Sequence, residues 1–367
     1  MRAAICIVVF FRLALAQEAD FQRLFQEAVE AQGRGDFTLA VRDYQRLLQI
    51  QPNSPDLRAN LGAALVHLRR FDEAIANYRA ALKLDSGNTA IQTNLGLAFF
   101  KKGDFRSAAD QFQILHQADP HNPKFAILLA QSYLPLGTYQ QIIALLSPVM
   151  QAQPGNLDAA YALGSALLNT GDVEKGAPLM ERVGKEGNSA EAYMLAGSAL
   201  FKNGSYDRAR PDLEAALQLN PDLLGLYTLV GMAEEQAGNK DLAEKYLRSA
   251  LSHNASDLQA VLHLAGVLYE KRDLKGAKLY IDKALELDPQ SLFAVYLGAL
   301  LKSKAGELEA AVKDLEKVTQ AEPGWLQPHV ELAALYYKLH RPAEGQRERA
   351  IVDQLMASQQ KREPESR

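Results

Sequence analysis

The chain has 367 residues, 48% of them hydrophobic and 23% charged, a composition that builds packed cores and excludes a disordered polyelectrolyte. A formal charge of −4 and a pI near 6.0 exclude a general electrostatic pull toward nucleic acid or an anionic membrane surface.

The N-terminal stretch "MRAAICIVVFFRLALAQEAD" differs in character from the rest of the chain. It starts basic at Arg2, runs apolar from Ala3 to Phe11, and offers the small-residue site Ala14-Leu15-Ala16 before Gln17. That order is the pattern of a secretory signal peptide over residues 1–16, although Arg12 interrupts it just before the cut. The alternatives are a short membrane anchor, for which the apolar run is too short to span, and a mis-called start codon; no later segment reaches about 18 apolar residues. The single cysteine, Cys6, lies within it, so a chain cut after Ala16 has neither disulfide nor thiol chemistry. The cut also removes Arg2 and Arg12, leaving 40 − 2 = 38 basic against 44 acidic residues, a formal −6.

From residue 21 onward the sequence repeats itself. An opening residue recurs at Phe37, Phe71, Phe105, Tyr139, Val173, Tyr206, Lys240, Leu274, Leu308 and Pro342; every step is 34 residues except the 33 between Val173 and Tyr206. Three positions on comes a small residue such as Ala40, Ala74 or Ala108; seven on comes a bulky one such as Tyr44, Tyr78 or Phe112; ten on comes Leu47, Ala81 or Leu115. Those spacings form one helical stripe. Fifteen on, Pro52, Pro120, Pro154, Pro221, Pro289 or Pro323 marks the turn into the next unit. Before each opener lies a second helical pattern with a small residue in pairs such as Leu61-Gly62, Leu95-Gly96 and Leu163-Gly164. Glycine there gives up about 1 kcal/mol of helix propensity, which close packing against the partner helix offsets. Gly35, Gly103, Gly137, Gly171, Gly204, Gly238 and Gly306 stand two residues before their openers, where a tight inter-helix turn is needed.

These marks resemble the tetratricopeptide repeat (TPR) family, a helix–turn–helix unit of 34 residues. The resemblance implies an all-α fold, a right-handed superhelical α-solenoid of antiparallel helix pairs with about ten units over residues 21–355. Residues 135–190 depart from the pattern. Ile142 and Gly176 replace the small alanine, Pro148 and Pro178 enter second helices, and "VGKEGNSA" is one residue short, which predicts an irregular join. In the ninth unit Leu297-Gly298 lies one residue early, which predicts a longer turn. The last unit, opened by Pro342, is polar enough to be a solvating cap, and the tail 356–367 is expected to be disordered.

By the same resemblance, first helices line a concave groove in which partners lie. The positions turned away from the second helix are Phe100, Ile127, Gln131, Leu134, Tyr161, Ser165, Leu168, Met194, Ser198, Phe201, Tyr269, Tyr296 and Tyr337. Such an apolar, aromatic lining with a few hydroxyls suits an extended or helical peptide of another protein. The carboxylate clamp of co-chaperone TPR domains is incomplete, because Asn60 and Asn94 are followed by Leu128 and no arginine or lysine joins them. The asparagine ladder of sugar-transferring TPR enzymes likewise ends after two rungs.

An enzyme reading finds no support. The sequence has no glycine-rich phosphate loop, no G-x-S-x-G and no H-E-x-x-H. His116, Asp119 and His121 form the nearest metal-like cluster, at a turn where polar residues belong anyway. Trp325, at another such join, reads as a wedge between units. Asn203 and Asn254 open glycosylation sequons. The basic stretch "KRDLKGAKLYIDK" alternates like a solvated helix face. The expectation is a non-enzymatic interaction scaffold, exported to the periplasm or secreted, with a protein or peptide partner, no nucleic acid, no cofactor, no metal and no membrane span in the mature chain. Alternatives are an accessory subunit positioning a catalytic partner in an envelope or secretion complex, and a cytosolic co-chaperone-like adaptor.

Overall fold

Each recurring mark has its physical counterpart in a helix pair. The computed structural model describes residues 2–360, with side chains over 18–358. The chain forms two compact units, Met1–Val183 and Gly184–Arg367. The first holds α1 (Arg2–Gly33), α2 (Phe37–Ile50), α3 (Pro55–His67), α4 (Phe71–Leu84), α5 (Thr89–Lys102), α6 (Phe105–Ala118), α7 (Pro123–Tyr133), α8 (Tyr139–Ala152), α9 (Leu157–Asn169) and most of α10 (Val173–Gly187). The second holds the end of α10, then α11 (Ala190–Lys202), α12 (Tyr206–Leu219), α13 (Leu226–Gln236), α14 (Lys240–His253), α15 (Leu258–Glu270), α16 (Leu274–Leu287), α17 (Leu292–Ala305), α18 (Leu308–Ala321), α19 (Leu326–Lys338) and α20 (Pro342–Gln360). No strand occurs among the described residues. The proposed signal segment 1–16 lies within α1 apart from Met1; Met1 and residues 361–367 of the tail lie outside the described residues, whereas 356–360 are helical in α20.

Helix starts are set by side chains that satisfy otherwise unpaired backbone donors. Ser54, Asn88, Asn156 and Asp257 accept from the amides of Leu57, Ile91, Ala159 and Ala260 at 3.0–3.2 Å, and Pro55 and Pro123 stand in the first turn, where their missing N–H costs nothing. Within a pair, the small residue of the first helix lies under a bulky residue sixteen positions on. A methyl group added to Gly96 would sit 2.5 Å from the Phe112 ring; at Gly62 it would sit 2.8 Å from Tyr78, and at Gly197 and Gly231 it would sit 2.7 Å from Leu213 and Leu247. Tyr78, Phe112, Leu213 and Leu247 are at most 2% exposed, so these contacts are the core of each pair.

The ninth unit corrects one expectation. Its turn is no longer than others: α17 ends at Ala305, Gly306 turns and α18 begins at Leu308, as Gly103 turns between α5 and α6. Ala299, fully buried, takes the close-contact place opposite Leu315, and a methyl on Gly298 would meet nothing nearer than 3.8 Å. Position by position, the register is unbroken.

Every turn inside a pair passes through the left-handed region at the same place. Seven units use glycine there (φ +69° to +86°), and three place Arg69, Arg272 and His340 in it at φ 58–64°. A side chain in that conformation costs about 1–2 kcal/mol, so the turn shape overrides local preference in those units.

At the expected irregular join, α8 and α10 run through Pro148 and Pro178 without a break, as α12 does through Pro211. The missing residue is absorbed by a two-residue connection from α10 to α11, with Asn188 left-handed at φ 52° and Ser189 capping the amide of Ala192. A second departure occurs at 220–225, where Gly225 (φ +77°) replaces the first turn of α13 and leaves Leu224 82% exposed.

Neighbouring pairs are also tied by charge. Lys102 binds Asp72, Lys271 binds Asp241 and Glu244, and Lys240 binds Glu270, each joining one pair to the next. At the C-terminal end His329, 4% exposed, places Nδ1 2.6 Å from Glu348 Oε2 and fastens α20 to α19. No helix among the described residues is long and apolar enough to cross a membrane.

Candidate protein-interaction surface

Successive first helices touch one another: α3 meets α5 and α7 meets α9 in the first unit, while α11 meets α13, α13 meets α15 and α15 meets α17 in the second. Second helices make no comparable contact among the described residues. The stack is therefore tighter on the first-helix side, and α3 with α5, α7 with α9, and α11 through α17 present shared first-helix faces.

In the first unit, Phe100 is half-buried and edge-on to Phe105 at 5.3 Å, which fixes its ring. Gln131, Leu134 and Leu168 are also half-buried; the Leu168 methyl closes on Gly176, where an added methyl would come within 2.7 Å. Tyr161 is open, at 36% exposure. Ile127 and Ser165, both 8% exposed, do not line the face; they belong to the packing beneath it. The reason is positional. Ile127 stands twelve residues before its opener, and Thr93, Thr228 and Leu262, at the same place in other pairs, are buried too. At these four places the row is consumed by packing, whereas Met194, Tyr296 and Val330 occupy it in other pairs and are half-buried or exposed. Tyr161 shares the row but remains open to solvent.

In the second unit, Met194, Ser198 and Phe201 are half-buried, with Phe201 edge-on to Tyr206 at 5.2 Å. Tyr337 is 41% exposed and lies against Gly345 of the last helix. Tyr269 and Tyr296 are half-buried near Glu331. Burial, then the Glu331 carboxylate, raises the Tyr269 hydroxyl above its ordinary pKa. Burial, then Glu331 and Tyr269, pushes Tyr296 up to about 12. Trp325, at the N-cap of α19, stacks on Phe293 at 6.0 Å and lies 4.9 Å from Tyr296, so it wedges α19 against α17 as expected of a residue at that join.

Phe293, Glu331, His263 and Glu235 also belong to this face, although no repeat signature marks them. His263 and Glu331 stand eleven residues before their openers, the same place as Asn60 and Asn94, so the register alone marks them as face residues. His263 Nδ1 lies 2.6 Å from Glu235 Oε2, linking α15 to α13. Asn60 and Asn94 are half-buried, and no ion-binding group of three or more His, Cys, Asp or Glu side chains occurs among the described residues.

A family profile described as the tetratricopeptide repeat protein 21 N-terminal ARM repeat matches residues 99–312, more than half of the chain, and one described as TPR repeat matches residues 69–103. The chain belongs to the tetratricopeptide repeat family. This TPR chain is 26% identical over 144 residues to human protein O-mannosyl-transferase TMTC1, a match covering 38% of the chain and 16% of that protein. It is 22% identical over 151 residues to anaphase-promoting complex subunit 3 of Schizosaccharomyces pombe, covering 41% of the chain and 23% of the relative. These matches span less than a quarter of either curated relative. A solved tetratricopeptide repeat protein from Parabacteroides merdae shares the fold at 17% identity and a TM-score of 0.51, over 68% of this chain and 98% of that one. TPR arrays generally serve as scaffolds for protein–protein interaction, which is the coarse function this fold suggests.

Proposed function

We propose that this TPR chain is a non-enzymatic scaffold, exported after removal of residues 1–16, that holds a peptide segment or partner protein against the first-helix faces of its two units. One observation supports the reading most directly. Aromatic and long apolar side chains on the first helices (Phe100, Tyr161, Phe201, Tyr337) stay partly open while Phe105 and Tyr206 brace two of the rings from behind. Rings held this way present apolar area with little entropy left to lose, which is what an anchoring surface requires. An accessory role inside a larger assembly is the second reading. It is favoured by similarity to a subunit named for the anaphase-promoting complex and to a transferase, each over a part of its length.

Affinity capture with the full chain from an envelope or secreted fraction tests the reading. One or two stoichiometric partners are expected, with capture weakened by Tyr161→Ala in the first unit or by Phe201→Ala in the second while helical circular dichroism is unchanged. Capture at full strength by both variants would show that the partner binds elsewhere. N-terminal sequencing of the protein recovered from its native compartment decides export: a mature chain that begins at Met1 rules out cleavage.

A further inference from the structure

The second unit carries an aromatic shelf whose charge is one-sided. Phe293 and Tyr296 of α17 lie 6.3 Å apart, and Trp325 of α19 covers both. His263 approaches the Phe293 ring at 6.2 Å from α15, which also carries Tyr269. Carboxylates flank the shelf. Glu331 is close enough to Tyr269 and Tyr296 to act on both hydroxyls, yet it makes no hydrogen bond or ion pair among the described residues. Glu235 stands on the opposite side and holds His263.

No lysine or arginine of these helices answers Glu331. Lys302 is bound to Asp314, Lys240 to Glu270, and Lys271 to Asp241 and Glu244. Lys304 and Lys338 stand in the last turns of α17 and α19, where they meet the helix C-termini. A half-buried carboxylate beside π faces favours a cation twice, through charge-assisted hydrogen bonds and through the ring quadrupoles. An acidic segment would meet repulsion from both.

Resting on the reading that first-helix faces bind partners, we infer that the α13–α19 face takes a basic segment of another protein, an arginine or lysine lying over Tyr296 beside Glu331. Arginine suits the place better than lysine, because its planar fork can stack on a ring and bind a carboxylate at once. The occupant is a cationic peptide, recognised by one or a few basic side chains between apolar ones.

Trp325 is the only tryptophan of the chain, so its emission reports on this shelf alone. Short random peptides displayed on phage are selected on the full-length protein, and the selected peptides are then titrated against Trp325 emission. The expected result is enrichment of arginine and lysine over aspartate and glutamate, a shift of Trp325 emission on binding, and affinity that falls with added salt. Glu331→Gln, which keeps size and helix, weakens such peptides by roughly tenfold, and Tyr296→Phe, which keeps the ring, leaves most of the affinity. Peptides that move Trp325 but are neutral or acidic overturn the inference and leave the face reading standing. Basic peptides indifferent to Glu331→Gln overturn it too. If no selected peptide responds to Trp325 or to Phe201→Ala and Tyr161→Ala, the face reading itself falls.

Discussion

The third and fifth helix pairs show what a unit must keep and what it can give away. In α5–α6 the pattern is intact: Gly96 under Phe112, Gly103 in the turn, Ala108 buried three positions after the opener. In α9–α10 the alanine is Gly176, a proline sits inside the second helix, and the exit is two residues long. Yet Gly164 still lies under Met180 and Gly171 still turns left-handed at φ +86°. The close approach and the turn define the unit; a proline in the second helix can be tolerated.

Substitutions at the paired positions break or sharpen this contrast. The largest effect is expected from Gly96→Ala. Its methyl would lie 2.5 Å from a ring that is fully buried and cannot retreat, so a loss of about 3 kcal/mol is expected in urea unfolding, with faster amide exchange in α5 and α6. The same change at Gly164 meets Met180 Sδ at 3.0 Å and Leu179 Cβ at 3.1 Å, looser contacts of which one is flexible, and is expected to cost about 1–2 kcal/mol. Equal losses above that for both pairs would mean that Met180 is as fixed as Phe112. Gly103→Ala and Gly171→Ala are expected to cost the same as each other, about 1 kcal/mol, because both turns are left-handed and neither methyl has a neighbour within 4 Å. Smaller still, Gly298→Ala is expected to be neutral or to stabilise by up to about 1 kcal/mol, since its helix has room for the methyl.

Alkaline pH probes the two units together. Burial raises the Tyr78 hydroxyl, and burial then Glu331 pushes Tyr296 up to about 12. The unfolded chain releases these protons near the ordinary tyrosine value of about 10, whereas the folded chain retains them. Their contribution is therefore complete below about pH 10 and is lost as pH rises through the folded values, so the urea midpoint is expected to fall between neutral pH and about pH 11.

The fold was legible because its signals are redundant. Ten openers, their buried alanines and their turn glycines all follow from local sterics, and a failure in one unit is outvoted by the rest. Arg69, Arg272 and His340 illustrate this: none favours the left-handed region, yet the period assigns them to it. The ninth unit keeps its register although its glycine lies one residue early, because Ala299 is small enough for the same contact. The interaction face was only partly legible. Which first-helix residues stay open depends on how one first helix meets the next, a distance no single unit encodes. Ile127 and Ser165 are expected on the face by register but lie beneath it, whereas Glu331 and Phe293 lie on it without matching any family signature.

The ion pairs Lys102–Asp72, Lys271–Asp241 and Lys240–Glu270 join neighbours separated by thirty residues, not parts of one helix pair. Salt screens these seam contacts, as it does the Lys302–Asp314 pair inside α17–α18. These pairs are exposed and contribute little beside the apolar packing of the same seams, so raising ionic strength should trim the coupling between neighbouring helix pairs slightly, with little loss of helix. Ionic strength would thereby adjust, rather than set, how readily order gained in one helix pair passes to the next.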